Sequence, residues 1–268
     1  MPDLSHPIFD DVRPWFGTID DLNLKAARSG LRTESGKPVR FVPPGRSDPY
    51  YEVQLFRTGS VQTRPGNLHD LFNALAWLAF PRTKARINAL HAERIALERG
   101  TRGRMRDMLT LLDEGGAIVE CADPELAGMV RGHRWRELFG DHRPRVLAGM
   151  RIHVLGHAVL EKALAPYPGI TCKALFVAPG ADPDALAAAW LGEHAQSGTP
   201  SDLAALPVFG YPGWLPESGQ PGFYDDERYF RPRGRVKSAP GAGQAVAVRP
   251  DASLAAEESP GSTEQDAG

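Results

Sequence analysis

Two consecutive stretches place polar side chains at helical spacing on apolar ground. In the first, from Asn67 to Phe80, His69, Asp70, Asn73 and Trp77 share a face. Around them stand Leu71, Phe72, Ala74, Leu75, Ala76, Leu78 and Ala79, so this helix is apolar almost all round and is expected to be buried. A buried His, Asp and Asn must find partners. In the second, from Pro81 to about Leu97, Lys84, Asn88 and His91 stand at i, i+4 and i+7 and form one polar stripe. Folded as an antiparallel hairpin, the pair would set Asn73 opposite Asn88 and His69 or Asp70 opposite His91. Two imidazoles and a carboxylate in one layer can hold a divalent metal. They can equally form an acid–base pair tuned by the Asp. The structural alternative is a hydrogen-bond network that ties the hairpin to the rest of the chain.

Three weaker patterns accompany it. His153, His157 and Glu161 recur at four-residue spacing. His153 is expected on a strand and His157 at the turn into a helix, which leaves His157 and Glu161 on one face. The run is not His-Glu-x-x-His. Asp107, Asp113 and Glu114 flank a Gly115-Gly116 pair, where turn chemistry explains them first and a catalytic carboxylate second. From Arg82 to Arg106 there are Arg82, Lys84, Arg86, Arg94, Arg99, Arg102, Arg104 and Arg106 against Glu93 and Glu98. That stretch can meet phosphate or nucleic acid, or it can pair with acids elsewhere. No Gly-x-Gly-x-x-Gly, Walker loop or Gly-x-Ser-x-Gly is present, which disfavours Rossmann, P-loop and serine-elbow chemistry.

These residues must be positioned by a mixture of helices and short strands. Asp20 to Arg28 is a short helix. Tyr51 to Phe56 with Val61-Gln62-Thr63 reads as a β-hairpin. Asn67 caps the first site helix, with Asp70 as a capping-box acid, and Pro81 opens the second. Met108 to Leu112 and Ala117 to Glu120 read as a second hairpin around Gly115-Gly116. Helices are expected after Asp123-Pro124, over Trp135 to Phe139, from His157 to Leu164, and from Asp182-Pro183 to about His194. Val146 to Leu155 and Ile170 to Val177 are strands. Tyr211 to Phe230 is a loop rich in aromatics. Short strands mixed with helices argue for an α+β fold, with helices packed on a small, mostly antiparallel sheet. Residues 1–235 form a single domain on this reading. From 236 to 268 there is no Phe, Trp, Tyr, Ile or Met, and a disordered tail is expected.

Bulk properties bound the answer loosely. The 268 residues are 42% hydrophobic and 24% charged, enough to build a core without disulfides or structural metals. A net charge of -2 gives no global case for nucleic acid or an anionic membrane. Cys121 and Cys172 sit in apolar runs and read as buried thiols. Met1 to Pro7 has neither a basic nor an apolar region, and no apolar run approaches the roughly 20 residues of a membrane helix. No membrane association and a cytoplasmic location are expected.

Several of these residues also carry a family resemblance. Thr63 to Ala74, then Trp77, Phe80-Pro81, Lys84, Asn88 and His91, are similar to the bacterial domain-of-unknown-function family 3025. Arg106-Asp107, Leu109 to Glu114, Gly156-His157-Ala158, Glu161-Lys162, Pro212-Gly213-Trp214 and Tyr224-Asp225-Asp226 fit the same pattern. Leu68 stands where the pattern has Trp. The resemblance covers roughly residues 5–235 and implies a proteobacterial, cytoplasmic protein. It implies no activity and transfers no catalytic residue.

The residues themselves suggest a metal-assisted hydrolase acting on a phosphorylated or otherwise anionic substrate. A divalent metal would be held by His69, Asp70 and His91, joined by His157 and Glu161 if the sheet brings them close. Asn73 and Asn88 would complete the catalytic layer, and Arg64, Lys84 and Arg106 would bind the substrate. The rival expectations are a non-catalytic binding or scaffold protein, and a nucleic-acid binder using Arg82 to Arg106.

Overall fold

A four-stranded sheet organises the chain. A computed structural model describes residues 2–45, 51–98 and 101–233. Its elements in chain order are α1 (Ile19–Ser29), β1 (Arg40–Val42), α2 (Tyr51–Thr58), β2 (Ser60–Gln62), α3 (Leu68–Ala79), α4 (Pro81–Leu97), α5 (Arg104–Gly115), β3 (Gly116–Cys121), α6 (Pro124–Gly132), α7 (Arg143–Gly149), β4 (Met150–Val154), α8 (His157–Lys162), β5 (Thr171–Val177), α9 (Pro183–Glu193) and β6 (Ala204–Pro207). The sheet order is β4-β3-β5-β6. β3 pairs antiparallel with β4 and parallel with β5, and β5 pairs antiparallel with β6. The fold is α+β, with a sheet that is mostly antiparallel. Met1–Arg233 cluster as one compact unit. The expected tail, 236–268, lies outside the described residues.

Alternation along the strands feeds two cores. Ile118 and Leu175 join the cluster that includes Phe72, Leu75, Leu109, Leu112 and Leu160. Val119 and Ala174 point the other way, into a cluster with Leu126, Trp135, Leu138, Phe139 and Val146. The sheet is therefore covered on both faces. That explains why β3 is buried along almost its whole length and reads as a continuous apolar run.

Both predicted hairpins are absent. Tyr51 to Phe56 belongs to α2, which packs on α4. β2 pairs in parallel with β1 instead. Six residues of alternating polarity are too few to separate the two periods. Met108 to Leu112 belongs to α5, whose Met105, Met108, Leu109 and Leu112 are buried at i, i+3, i+4 and i+7. The strand expected from Val146 begins only at Met150, because α7 occupies Arg143–Gly149. Trp135 to Phe139 lies mostly in a π-helical segment, Arg136–Asp141.

One close approach sets the position of α8. The Gly116 carbonyl accepts from Leu155 N at 3.2 Å and from Gly156 N at 2.9 Å. A Cβ on Gly156 would fall 2.5 Å from Gly116 N, 2.7 Å from Gly115 C and 2.8 Å from Glu114 O. Backbone therefore lies against backbone where α5 ends and α8 begins. Gly156→Ala is expected to lower stability by about 2 kcal/mol. Gly128→Ala, within α6 and with open space around it, should be neutral or stabilising by up to about 1 kcal/mol. Thermal melts of the two variants check both.

Candidate functional site

Lys84 is 2% exposed, on the inward face of α4. Its ammonium donates to Asn73 Oδ1 at 2.8 Å and forms an ion pair with Asp113. Each residue reaches this point because its element brings it there. Asn73 lies on α3, one turn beyond His69, and α3 and α4 meet at Phe80, which ends one helix and opens the other. Asp113 lies in the last turn of α5, one turn after the buried Leu109.

The surroundings set the protonation states. Burial alone would raise the Asp113 carboxyl; the Lys84 charge and hydrogen bond, with His157, outweigh it and hold Asp113 below the usual carboxylate range. His157, the first residue of α8, is buried. Burial pushes its pKa down to about 4 despite the Asp113 charge. Its Nδ1 lies 3.6 Å from Asp113 Oδ2 and has no hydrogen-bond partner. Its Nε2 lies 3.0 Å from His69 Nε2, the two rings meeting edge to face. His69 Nδ1 in turn meets Glu161 Oε2 at 3.0 Å.

A second carboxylate enters from α2. Glu52 Oε2 accepts from Asn88 Nδ2 at 2.7 Å, and the same amide donates to the Glu52 carbonyl at 3.0 Å. Burial, then the Asp113 charge, raises the Glu52 pKa to about 7. These groups line a cavity of about 610 Å³ whose walls include Glu52, Arg64, His69, Asp70, Asn73, Trp77, Lys84, Asn88, Asp113, Glu114 and His157.

The expected residues are thus partly gathered and differently paired. Asn73 faces Lys84 rather than Asn88, because Lys84 lies nearer the Phe80 corner and its ammonium takes the Asn73 oxygen. Asp70 does not meet His91: its carboxylate accepts from Arg64 N at 2.8 Å, Nε at 2.7 Å and Nη2 at 2.9 Å. Asp70 is therefore an ion-pair partner for Arg64, not the far half of a capping box. His91 is buried away from the cavity lining, with burial pushing its pKa down to about 4. Arg106 pairs with Glu98 at 3.1 Å and is also outside the lining. Glu161 pairs with His69, not with its own helix neighbour His157. Among the described residues no group of three or more His, Cys, Asp or Glu side chains is placed to hold a metal ion. His69, Asp70 and His91, with His157 and Glu161, thus do not form the expected metal centre.

The basic stretch is also largely neutralised. Arg82 pairs with Asp182, Arg86 with Glu34, Arg94 with Glu93, and Arg102 with Asp107. Arg99 lies outside the described residues. His153 sits on β4 between Asp11 at 3.1 Å and Glu120 at 3.5 Å, remote in role from His157. Sequence reasoning missed Glu52, hidden by the strand reading of its segment, and ranked Asp113 as a turn acid. The apolar stripe of α5 was the available signal for Asp113.

Acid titration and substitution at Lys84 probe these protonation states. His157 and His91 have folded-state pKa values depressed below the usual 6.5 to about 4. The stability they contribute is complete above about pH 6.5 and is lost as pH falls through 4, by about 3 kcal/mol each. A melting profile from pH 7 to 4 should fall steeply, and His157→Gln should fall less. Lys84→Met should cost about 3–5 kcal/mol by leaving Asp113 unpaired in the interior, and Lys84→Met/Asp113→Leu should cost less than that single change.

Comparisons with curated proteins and with solved structures return no match. No helix among the described residues is long and apolar enough to cross a membrane. A family model described as protein of unknown function, DUF3025, matches residues 39–234, most of the chain and every residue of the site just described, and the chain belongs to that family.

Proposed function

We propose that this protein is a hydrolase that takes a small polar substrate into the α2–α3–α4–α5–α8 cavity and works by general acid–base catalysis. The observation that carries this reading is the run of contacts Asn73–Lys84–Asp113–His157–His69, which lines one cavity with Glu52. Hydrolysis needs a base to activate water and an acid to protonate the leaving group. Asp113, held ionised by Lys84, is the base. Glu52, with its pKa raised to about 7, is the acid. Two carboxylates whose surroundings drive their pKa values apart divide those roles between them.

The same geometry revises the expected substrate and cofactor. Lys84 and Arg64, the cations of the described lining, are already paired with Asp113 and Asp70. That favours a neutral polar molecule over a phosphorylated one, with Trp77 and Tyr51 as apolar wall. Three metal ligands do not converge, so the reading assigns the chemistry to proton transfer between side chains.

A panel of chromogenic esters, amides, glycosides and phosphoesters tests it. Activity on a member of the panel should fall about 10²–10⁴-fold in kcat for Asp113→Asn and for Glu52→Gln. The wild-type rate should decline above about pH 7 as Glu52 loses its proton, and Glu52→Gln should lose that limb. Wild-type activity that both variants retain would overturn the assignment.

A further inference from the structure

Not every cation of the molecule is paired. Arg131 lies in the last turn of α6, and Arg231 and Arg233 follow the aromatic segment that ends at Phe230. All three are exposed. The acids of this region are already taken, Glu137 by Arg134, Asp225 by Arg136 and Asp226 by Arg228. Among the described residues Arg131, Arg231 and Arg233 form no ion pair. They are nevertheless tied into one patch. Arg233 Nη1 donates to the Arg131 carbonyl at 3.3 Å. The Arg231 carbonyl accepts from Trp135 Nε1 at 2.9 Å. The Arg131 guanidinium lies over the Phe176 ring, 4.8 Å from its centroid.

An aromatic stack reaches the surface in the same patch. The rings of His133 and Trp135 stack at 5.1 Å and 25°, and those of Trp135 and Phe139 at 6.2 Å and 14°. Trp135 and Phe139 are buried and His133 is half-buried, so the imidazole is the outer step. Its backbone is held in the left-handed region, at φ 55° and ψ 39°. His133 is the single non-glycine residue with a positive φ among the described residues. His133 N donates to Val130 O at 3.1 Å and Arg134 N to Met129 O at 3.0 Å, a helix stop that glycine ordinarily supplies. Glycine would make this stop without strain, but only a ring extends the stack. Burial, then the Arg233 and Lys173 charges, holds the His133 pKa below the usual histidine value. The ring is therefore mostly neutral at pH 7.

We infer that this face binds single-stranded nucleic acid, with phosphates on Arg131, Arg231 and Arg233 and a base stacked on His133. Guanidinium groups offer paired N–H donors that match phosphate oxygens. An unpaired base has a face to lay on the imidazole, whereas the bases of a duplex cover one another. The net charge of -2 does not oppose this, because a local excess of one sign sets the field a ligand meets. None of these four residues lines the α2–α3–α4–α5–α8 cavity. The inference thus stands or falls independently of the hydrolytic reading.

Fluorescence anisotropy of the full chain with a labelled oligothymidylate strand tests it. Affinity should fall with salt at a log–log slope of about -2, as three phosphate contacts on a single strand give. Arg131→Gln/Arg233→Gln should flatten that slope to about -0.7. His133→Gly, which keeps the residue best suited to the helix stop and so keeps the fold, should weaken binding about tenfold. Its salt slope should match that of the wild type, which separates stacking from charge. Absence of binding by the wild type at low salt overturns the inference. So does equal affinity for the strand and its duplex, or an affinity that His133→Gly leaves unchanged. Binding to vesicles of anionic phospholipid without binding to the strand overturns it as well.

Discussion

A lysine ammonium taken out of water loses several kcal/mol of hydration and is tolerated only beside a compensating charge. Lys84 imposes that condition on three helices. Asn73 must present its oxygen from α3, and Asp113 must present its carboxylate from α5. Their backbones must therefore cross at the point where α4 carries the charge. Once Asp113 is fixed, His157 has an ionised neighbour, and the cavity has a permanent negative group against which Glu52 titrates. The chemistry assigned to the cavity descends from this one buried pair.

The other half of the site depends on backbone contact rather than charge. α8 is short and would not hold its own orientation as an isolated helix. Its first turn is anchored instead through Leu155 and Gly156, whose N–H groups share the Gly116 carbonyl. Gly116 is also the first residue of β3, in the middle of the sheet. Asp113 and His157 are thus held by the two sides of one junction, and their separation is governed by that backbone contact.

The polar residues of α3 and α4 were legible because a buried helix advertises any His, Asn or Lys it carries. His69, Asn73, Lys84 and Asn88 do line the cavity. Their partners were not legible. Pairing Asn73 with Asn88 treated the two helices as mirror images about the corner, and a long flexible lysine reaches across that geometry where an asparagine does not. Glu52 and Asp113 were obscured for a different reason. Glu52 sits in a short run that satisfies strand and helix patterns alike, and Asp113 stands beside Gly115-Gly116, whose turn chemistry masked the helical stripe of α5. The arginines of Arg82 to Arg106 show the limit of reading charge locally. Asp182, the partner of Arg82, is a hundred residues away in the chain, a distance at which composition says nothing.

Phe80 is the single residue between α3 and α4, capping the end of one and the start of the other. Two helices joined in this way are locked in phase. An inserted or deleted residue anywhere between His69 and Lys84 would turn the downstream helix by about 100° and swing the ammonium out of reach of Asn73 and Asp113 together. The segment can accept many exchanges of one apolar side chain for another, yet its length is fixed. In the evolution of this fold, insertions that enlarge or reshape the cavity must therefore enter from outside that stretch.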